Sequence, residues 1–504
     1  MIKNFKWLLL VSLTFVACNN DDETIVSNSS DGLPLTAGMA DFSNYVALGD
    51  SFAAGFSDNA LFIAGQNGAY PNILAQQFAQ VGGGDFTSPL MSDNIGGFLG
   101  SSTYTPRLYF NGAGPSSVAL PPYNQASTTN QATILTGSFN NMGVPGAKCF
   151  HLDYPGYGSS MGNPYFARFA SNPMATIVDD AVAQNPTFFS LWIGGNDVLG
   201  YATSGGTNDA DITPTAVFNS AYNGLITKLT VNGRKGVVAN LPYVSTLPIF
   251  TAVPTNPIPA LTAAQSGPLN QLFGAINQIA AAANQPARFV TITTDDNNPV
   301  TIESANPLLI VDETLVDLSI YIKNALSPLY GIPTATYLGN LYGQTRHAKN
   351  ETSDRDYILL TAKSYISPPN NIETSAPSPF NVRGISYPLP DNLVLTIDEA
   401  SKIKAATDSY NTTITNAATN SNLALFDAKE TMRQLSSTGI TANGYTMTST
   451  YATGGAFSLD GVHPSPRGYA LIANKFIEAI NAKYGSNLKG VSLYDYRIMF
   501  PPVL

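Results

Sequence analysis

The sequence predicts an α/β protein: a mostly parallel central sheet with helices on both faces. Three observations lead there. Short apolar runs recur, several of them closed by glycine and small polar residues, as strands are where they leave a sheet. Segments with apolar residues at helical spacing lie between these runs. The composition also supports a sizeable core, because 44% of the 504 residues are hydrophobic and 10% aromatic. Only 12% are charged, about half the usual share, with Asn, Thr, Ser, Gly and Pro in their place. The length allows one large domain or two ordinary ones.

In chain order, Lys3 and Lys6 precede an apolar run over residues 7–16 that closes on Ala17-Cys18. Positive residues, a short apolar stretch and a small residue before the cut describe a secretory leader, too short to span a bilayer. Phe15-Val16-Ala17-Cys18 resembles a bacterial lipobox, in which Cys18 becomes the lipidated first residue. The acidic Asn19-Asn20-Asp21-Asp22-Glu23 is similar to the export signal of surface lipoproteins in Bacteroidetes-type bacteria. The expectation is a leader over 1–17, lipidated Cys18 with a flexible tether over 18–40, and a main domain over 41–504. The expected location is the cell surface, anchored by lipid to an outer membrane. With Cys18 lipidated, Cys149 stands alone and the domain has no disulfide.

Tyr45-Val46-Ala47-Leu48-Gly49 reads as the first strand, running into Asp50-Ser51-Phe52. Ile73, Leu74, Phe78 and Val81 place a helix over 70–81. Residues 82–136 read as long loops with a short strand near Arg107. A second glycine turn follows in Asn141-Met142-Gly143-Val144-Pro145-Gly146, then a helix over 173–182. Residues 187–193 form a strongly apolar strand ending in Gly194-Gly195-Asn196-Asp197. Thr213-Pro214 opens a helix with Thr as N-cap and a stripe of Val217, Ala221, Leu225 and Leu229. A strand over 235–241 stops at Pro242. Residues 244–389 read as a large insertion, with a helix near 269–283, a strand pair at 288–294 and 308–311, and an apolar run at 357–361 that fits another strand of the main sheet. Thr396-Ile397-Asp398-Glu399 is a capping box opening a long helix with stripe Ala400, Ile403, Tyr410, Ile414 and Ala417. A strand at 423–427 and a helix at 466–484 close the domain.

The chemistry follows from strand ends. Ser51 emerges where an α/β sheet presents reactive groups. A nucleophilic serine needs a base, a group that orients the base, and donors for an oxyanion. Three histidines are available. His463 lies three residues after Asp460 across Gly461, a turn short enough to put carboxylate and imidazole in one site. His151 and His347 have no such local partner and read as structural. Asn196 can aim its amide into the same crevice, and Gly146 can offer an N–H unobstructed by a side chain.

Gly49-Asp50-Ser51-Phe52, Gly146 with its preceding turn, Gly195-Asn196-Asp197 and Asp460-Gly461-Val462-His463-Pro464 together resemble the four blocks of the SGNH hydrolase superfamily, the GDSL esterases and lipases, in that family's order. The resemblance implies a three-layer α/β/α, flavodoxin-like fold and a serine esterase or lipase. It makes Ser51 the nucleophile, His463 the base and Asp460 the orienting acid. The oxyanion donors would be Ser51, Gly146 and Asn196, with Gly143 a rival for Gly146. Phe52 stands where the family has Leu, a change between apolar residues. The blocks and their framing helices cover about half of the mature chain, and the long loops and the insertion lie outside them.

Gly158-Ser159-Ser160-Met161-Gly162 has the spacing of a nucleophile elbow but lacks the strand before and helix after that the elbow requires. No Cys-x-x-Cys, His-Glu-x-x-His or Walker-type loop is present, so the sequence supports neither a metal nor a nucleotide site, and the expected reaction needs no cofactor. A net charge of −10, without a basic run past the leader, argues against nucleic acid. The expected partner is a small-molecule, lipid or glycan ester. Two other readings remain open at this stage: deacetylation of polysaccharides, and a surface binding protein on an inactive hydrolase scaffold.

Overall fold

The computed structural model describes residues 32–295, 306–351, 354–368, 370–442 and 444–504. The predicted leader, Cys18 and the acidic cluster lie outside the described residues. The principal elements, in chain order, are β1 (Tyr45–Gly49), α1 (Tyr70–Ala79), β2 (Asn141–Gly143), α2 (Ile177–Ala183), β3 (Phe188–Trp192), α3 (Asn196–Thr203), α4 (Thr215–Leu229), β4 (Lys235–Ala239), α5 (Ala263–Ala282), α6 (Ser319–Tyr330), α7 (Ile332–Tyr342), α8 (Ile397–Asn420), β5 (Ala424–Phe426), α9 (Ala428–Ser436) and α10 (Pro466–Tyr484).

Five strands form one parallel sheet in the order β5-β4-β3-β1-β2. This is the flavodoxin-like order, in which the chain leaves β1 and β3 in opposite directions and opens a crevice at their carboxyl ends. β1 and β3 are buried along their whole length, as parallel strands covered on both faces must be. On one face α1 and α10 meet the sheet: Tyr70 stacks on Phe476 at 4.7 Å, and Phe188 lies against Phe78 and Tyr484. On the other, α4 packs on α8 through Phe218 and Tyr410, stacked at 4.0 Å. The helix α8 begins at the predicted capping box, with Thr396 and Glu399 exchanging backbone bonds, and buries all five residues of its predicted stripe.

Some expectations need correction. Pro214 has ψ 135 and stands ahead of α4, so the helix starts at Thr215. The α4 stripe is rotated: Phe218, Tyr222, Leu225, Ile226 and Leu229 are buried while Val217 is 45% exposed. The two aromatic rings bury more apolar area than Val217 and Ala221 and decide the rotation. The run at 357–361 does not join the main sheet; Tyr357–Ile358 pairs antiparallel with Val394–Leu395. Leu309–Val311 is a strand, but its partner is Thr345–His347. Residues 288–294 form no strand, because the Asn270 and Asn277 side chains of α5 take their backbone bonds. Part of the expected tether is fastened: Thr36 N–H donates to Asn487 Oδ1 and Met39 N–H to the Tyr484 carbonyl.

Between β4 and α8 the chain makes a long excursion with apolar clusters of its own. One is built on α5, α6 and α7 around Phe273, Phe289 and Tyr342. Another gathers Val253, Leu308, Ile310, Ile358 and Leu389. The excursion meets the sheet domain at a buried ion network. Arg346 pairs with Asp312 and Asp356, and Asp356 Oδ1 accepts the Ile397 N–H at the start of α8.

Candidate active site

Register brings the site together. Gly49 of β1 lies opposite Gly143 of β2 and Trp192 of β3, so three strands end level. Ser51, Gly146 and Asn196 follow just beyond those ends. Ser51 opens a single helical turn, Ser51–Ala54, whose N-cap Asp50 accepts the Phe52 N–H at 2.9 Å. The Ser51 N–H heads this turn, where a helix leaves its donors unbonded, and has no acceptor among the described residues. Burial, outweighing that bond and the nearby His463, pushes the Asp50 carboxyl up to about 7.

The closing loop supplies the other two groups. His463 Nε2 is 2.8 Å from Ser51 Oγ, and His463 Nδ1 is 3.0 Å from Asp460 Oδ2. Asp460 also accepts three backbone N–H groups, from Val462 and His463 on Oδ1 and from Asn59 on Oδ2. Burial alone would raise its carboxyl; His463 and the backbone donors outweigh burial and hold it at about 2. The arrangement can carry a proton from Ser51 Oγ to the imidazole while a fixed carboxylate faces the other ring nitrogen. Phe56 and Phe52 lie against the ring, with centroids at 4.6 and 5.5 Å.

The two candidate glycines separate. The Gly143 N–H is spent on Asn141 Oδ1 at 3.0 Å, and a Cβ there would fall 2.3 Å from Ala54 N, under the Ser51 turn. Gly146 has φ +80, room for a Cβ at 4.0 Å from Asn163 Nδ2, and no acceptor for its N–H among the described residues. The Gly146 loop is tied to α3 by two bonds. Asn196 Nδ2 donates to the Ala147 carbonyl at 3.0 Å, and Asp197 Oδ2 accepts the Cys149 N–H at 2.8 Å. An amide nitrogen has two hydrogens, so one on Asn196 remains.

The remaining candidates stand apart. His151 stacks on Tyr157 and its Nδ1 accepts the Lys148 N–H; burial and then Lys148 push it down to about 4. His347 sits in the excursion, with Nδ1 accepting the Val290 N–H, and burial lowers it to about 4. Ser159 and Ser160 lie in a run of turns. Cys149 is fully buried, and burial pushes its thiol well up.

Sequence reasoning missed the support beneath Asp460. Asp58 and Asn59 form a left-handed turn, with φ of 50 and 66. Asp58 accepts the Leu459 N–H, and Ser57 Oγ donates to the Pro464 carbonyl. The turn braces the whole closing loop. Its signal was the Asp-Asn dipeptide, a pair that tolerates positive φ. Also unforeseen is an apolar cavity of about 90 Å³ whose walls include Leu241, Leu247, Phe426 and Met432, reaching Phe52 and Val462 beside the triad.

No curated protein matches the chain. The family model described as GDSL-like lipase/acylhydrolase matches residues 45–305 and 345–476, a span that takes in Ser51, Gly146, Asn196, Asp460 and His463. The chain therefore belongs to the GDSL-like lipase/acylhydrolase family, within the SGNH superfamily, and is an ester-bond hydrolase.

Proposed function

We propose that the protein is a serine esterase that cleaves esters of apolar acyl groups through an acyl-enzyme on Ser51. The observation that carries this reading is the chain of contacts from Asp460 through His463 to Ser51 Oγ, at 3.0 and 2.8 Å. His463 Nε2 takes the Ser51 proton as Oγ attacks the ester carbonyl. The tetrahedral oxyanion is met by the N–H groups of Ser51 and Gly146 and the free amide hydrogen of Asn196. The imidazolium then protonates the departing alcohol. Water, deprotonated by the same ring, attacks the acyl-enzyme and releases the acid, restoring Ser51. The apolar cavity beside Phe52 supports an acyl chain longer than acetyl, because polar walls would be expected around a sugar.

A fluorophosphonate probe tests the nucleophile: it should label the wild type on Ser51 and leave Ser51→Ala unlabelled. Folded wild-type protein that stays unlabelled would sink the enzyme reading in favour of a binding role. Turnover of acetylated xylan set against octanoyl esters separates a polysaccharide deacetylase from the esterase proposed here.

A further inference from the structure

Three carboxylates outside the proposed triad converge: Asp391 and Glu399 lie close in sequence, and Glu313 comes from a distant part of the chain. Glu313 follows the strand Leu309–Val311, Asp391 opens the turn Asp391–Leu393, and Glu399 sits in the first turn of α8. One oxygen of each lies within 4.8 Å of the other two. Glu399 is 1% exposed; its Oε2 accepts the Thr396 N–H at 2.7 Å, while its Oε1 is buried with no hydrogen-bond partner among the described residues. Asp391 Oδ1 is likewise buried and unpartnered. The backbone comes right up to this oxygen: a Cβ on Gly206 would fall 2.2 Å from Glu399 Oε1.

No lysine or arginine forms an ion pair with any of the three among the described residues; Arg346 is committed to Asp312 and Asp356. Among the described residues the cluster therefore has no paired cation.

We propose that Glu313, Asp391 and Glu399 form a site for a divalent cation, calcium in preference to magnesium, which fastens the excursion over 253–394 to the hydrolase core. The donors are all carboxylate oxygens, with no imidazole or thiolate, which selects a hard cation. Calcium tolerates irregular oxygen cages and completes its shell with water, whereas magnesium demands near-ideal octahedral geometry. Two of the ligands belong to the excursion and the third to α8, which packs on α4 beneath the sheet. The cation takes no part in ester cleavage.

The test is thermal unfolding of the full chain, stripped with EDTA and then given millimolar calcium or magnesium chloride at matched ionic strength. Binding to the folded state alone raises the midpoint. The expected result is a rise of about 3 °C or more with calcium and less with magnesium. Glu313→Gln, at an exposed position, should fold and lose that rise; calorimetric titration should count one calcium per wild-type chain. Absence of a calcium-dependent shift and of calorimetric binding in the wild type would overturn the proposal and leave the carboxylates sharing protons. An equal shift in Glu313→Gln would overturn it too.

Discussion

Asp460 is bound more tightly than any other side chain of the triad. Three backbone N–H groups and the His463 ring converge on its two oxygens, so the carboxylate cannot turn. Asp460→Asn puts an amide where the ring N–H must donate and favours the wrong tautomer. The expected loss in kcat/KM on a short p-nitrophenyl ester is about 10⁴-fold. The same substitution should alter acid stability. The Asp460 carboxyl falls from its ordinary 3.8 to about 2 in the folded protein. A depressed carboxyl stabilises the fold above its unfolded pKa and loses that contribution as pH falls through the folded one. Between about pH 4 and pH 2 the wild type should therefore lose stability more steeply than Asp460→Asn. Parallel acid-unfolding curves for the two proteins would count against a charged, paired Asp460.

At the level of elements, the crevice depends on three strands that end in register and on a helical turn seated against β2. Gly143 and Gly146 make opposite demands there. Gly143→Ala drives a methyl into the Ala54 backbone under the nucleophile and should cost about 1–3 kcal/mol or more. Gly146→Ala makes only an ordinary contact with Asn163 Nδ2, at 4.0 Å, and carries the strain of a positive φ, about 1–2 kcal/mol. Thermal midpoints should rank wild type, Gly146→Ala, Gly143→Ala from high to low, and the reverse order of the two variants would contradict the packing argument. The ends of α4 and α8 show what local sequence can convey. The α8 box was legible because Thr396 and Glu399 bond within one turn. The face of α4 was not, because Phe218 and Tyr222 turn inward and Phe218 finds a stacking partner, Tyr410, on the distant α8.

For the molecule as a whole, the proposed acyl selectivity rests on the apolar cavity behind Phe52. The cavity is bounded by the loop after β4 and, much later in the chain, by β5 and the α9 that directly follows it. Val244 lies on its wall. Val244→Phe should lower kcat/KM for octanoyl esters well below the wild-type value while affecting acetyl esters much less, since a short acyl group does not reach that wall. Equal losses on both would indicate that the acyl chain lies elsewhere. The excursion over 253–394 stands to the sheet domain as a second packed body, tied at the Arg346 network and at the carboxylate cluster.

The sequence by itself determined the parallel α/β core and the order of the chemical groups along it. Strand ends, capping boxes and the Asp460-Gly461-Val462-His463 turn are local, so their signals lie in neighbouring residues. Tertiary structure decided which glycine N–H lacks an acceptor among the described residues, which turn braces Asp460, where the apolar cavity runs and that Glu313, Asp391 and Glu399 meet. The brace, the cavity and the carboxylate cluster each join segments with no sequence proximity. Long-range packing alone brings them together, and burial then gives their unpaired charges and apolar walls a consequence that composition cannot foretell.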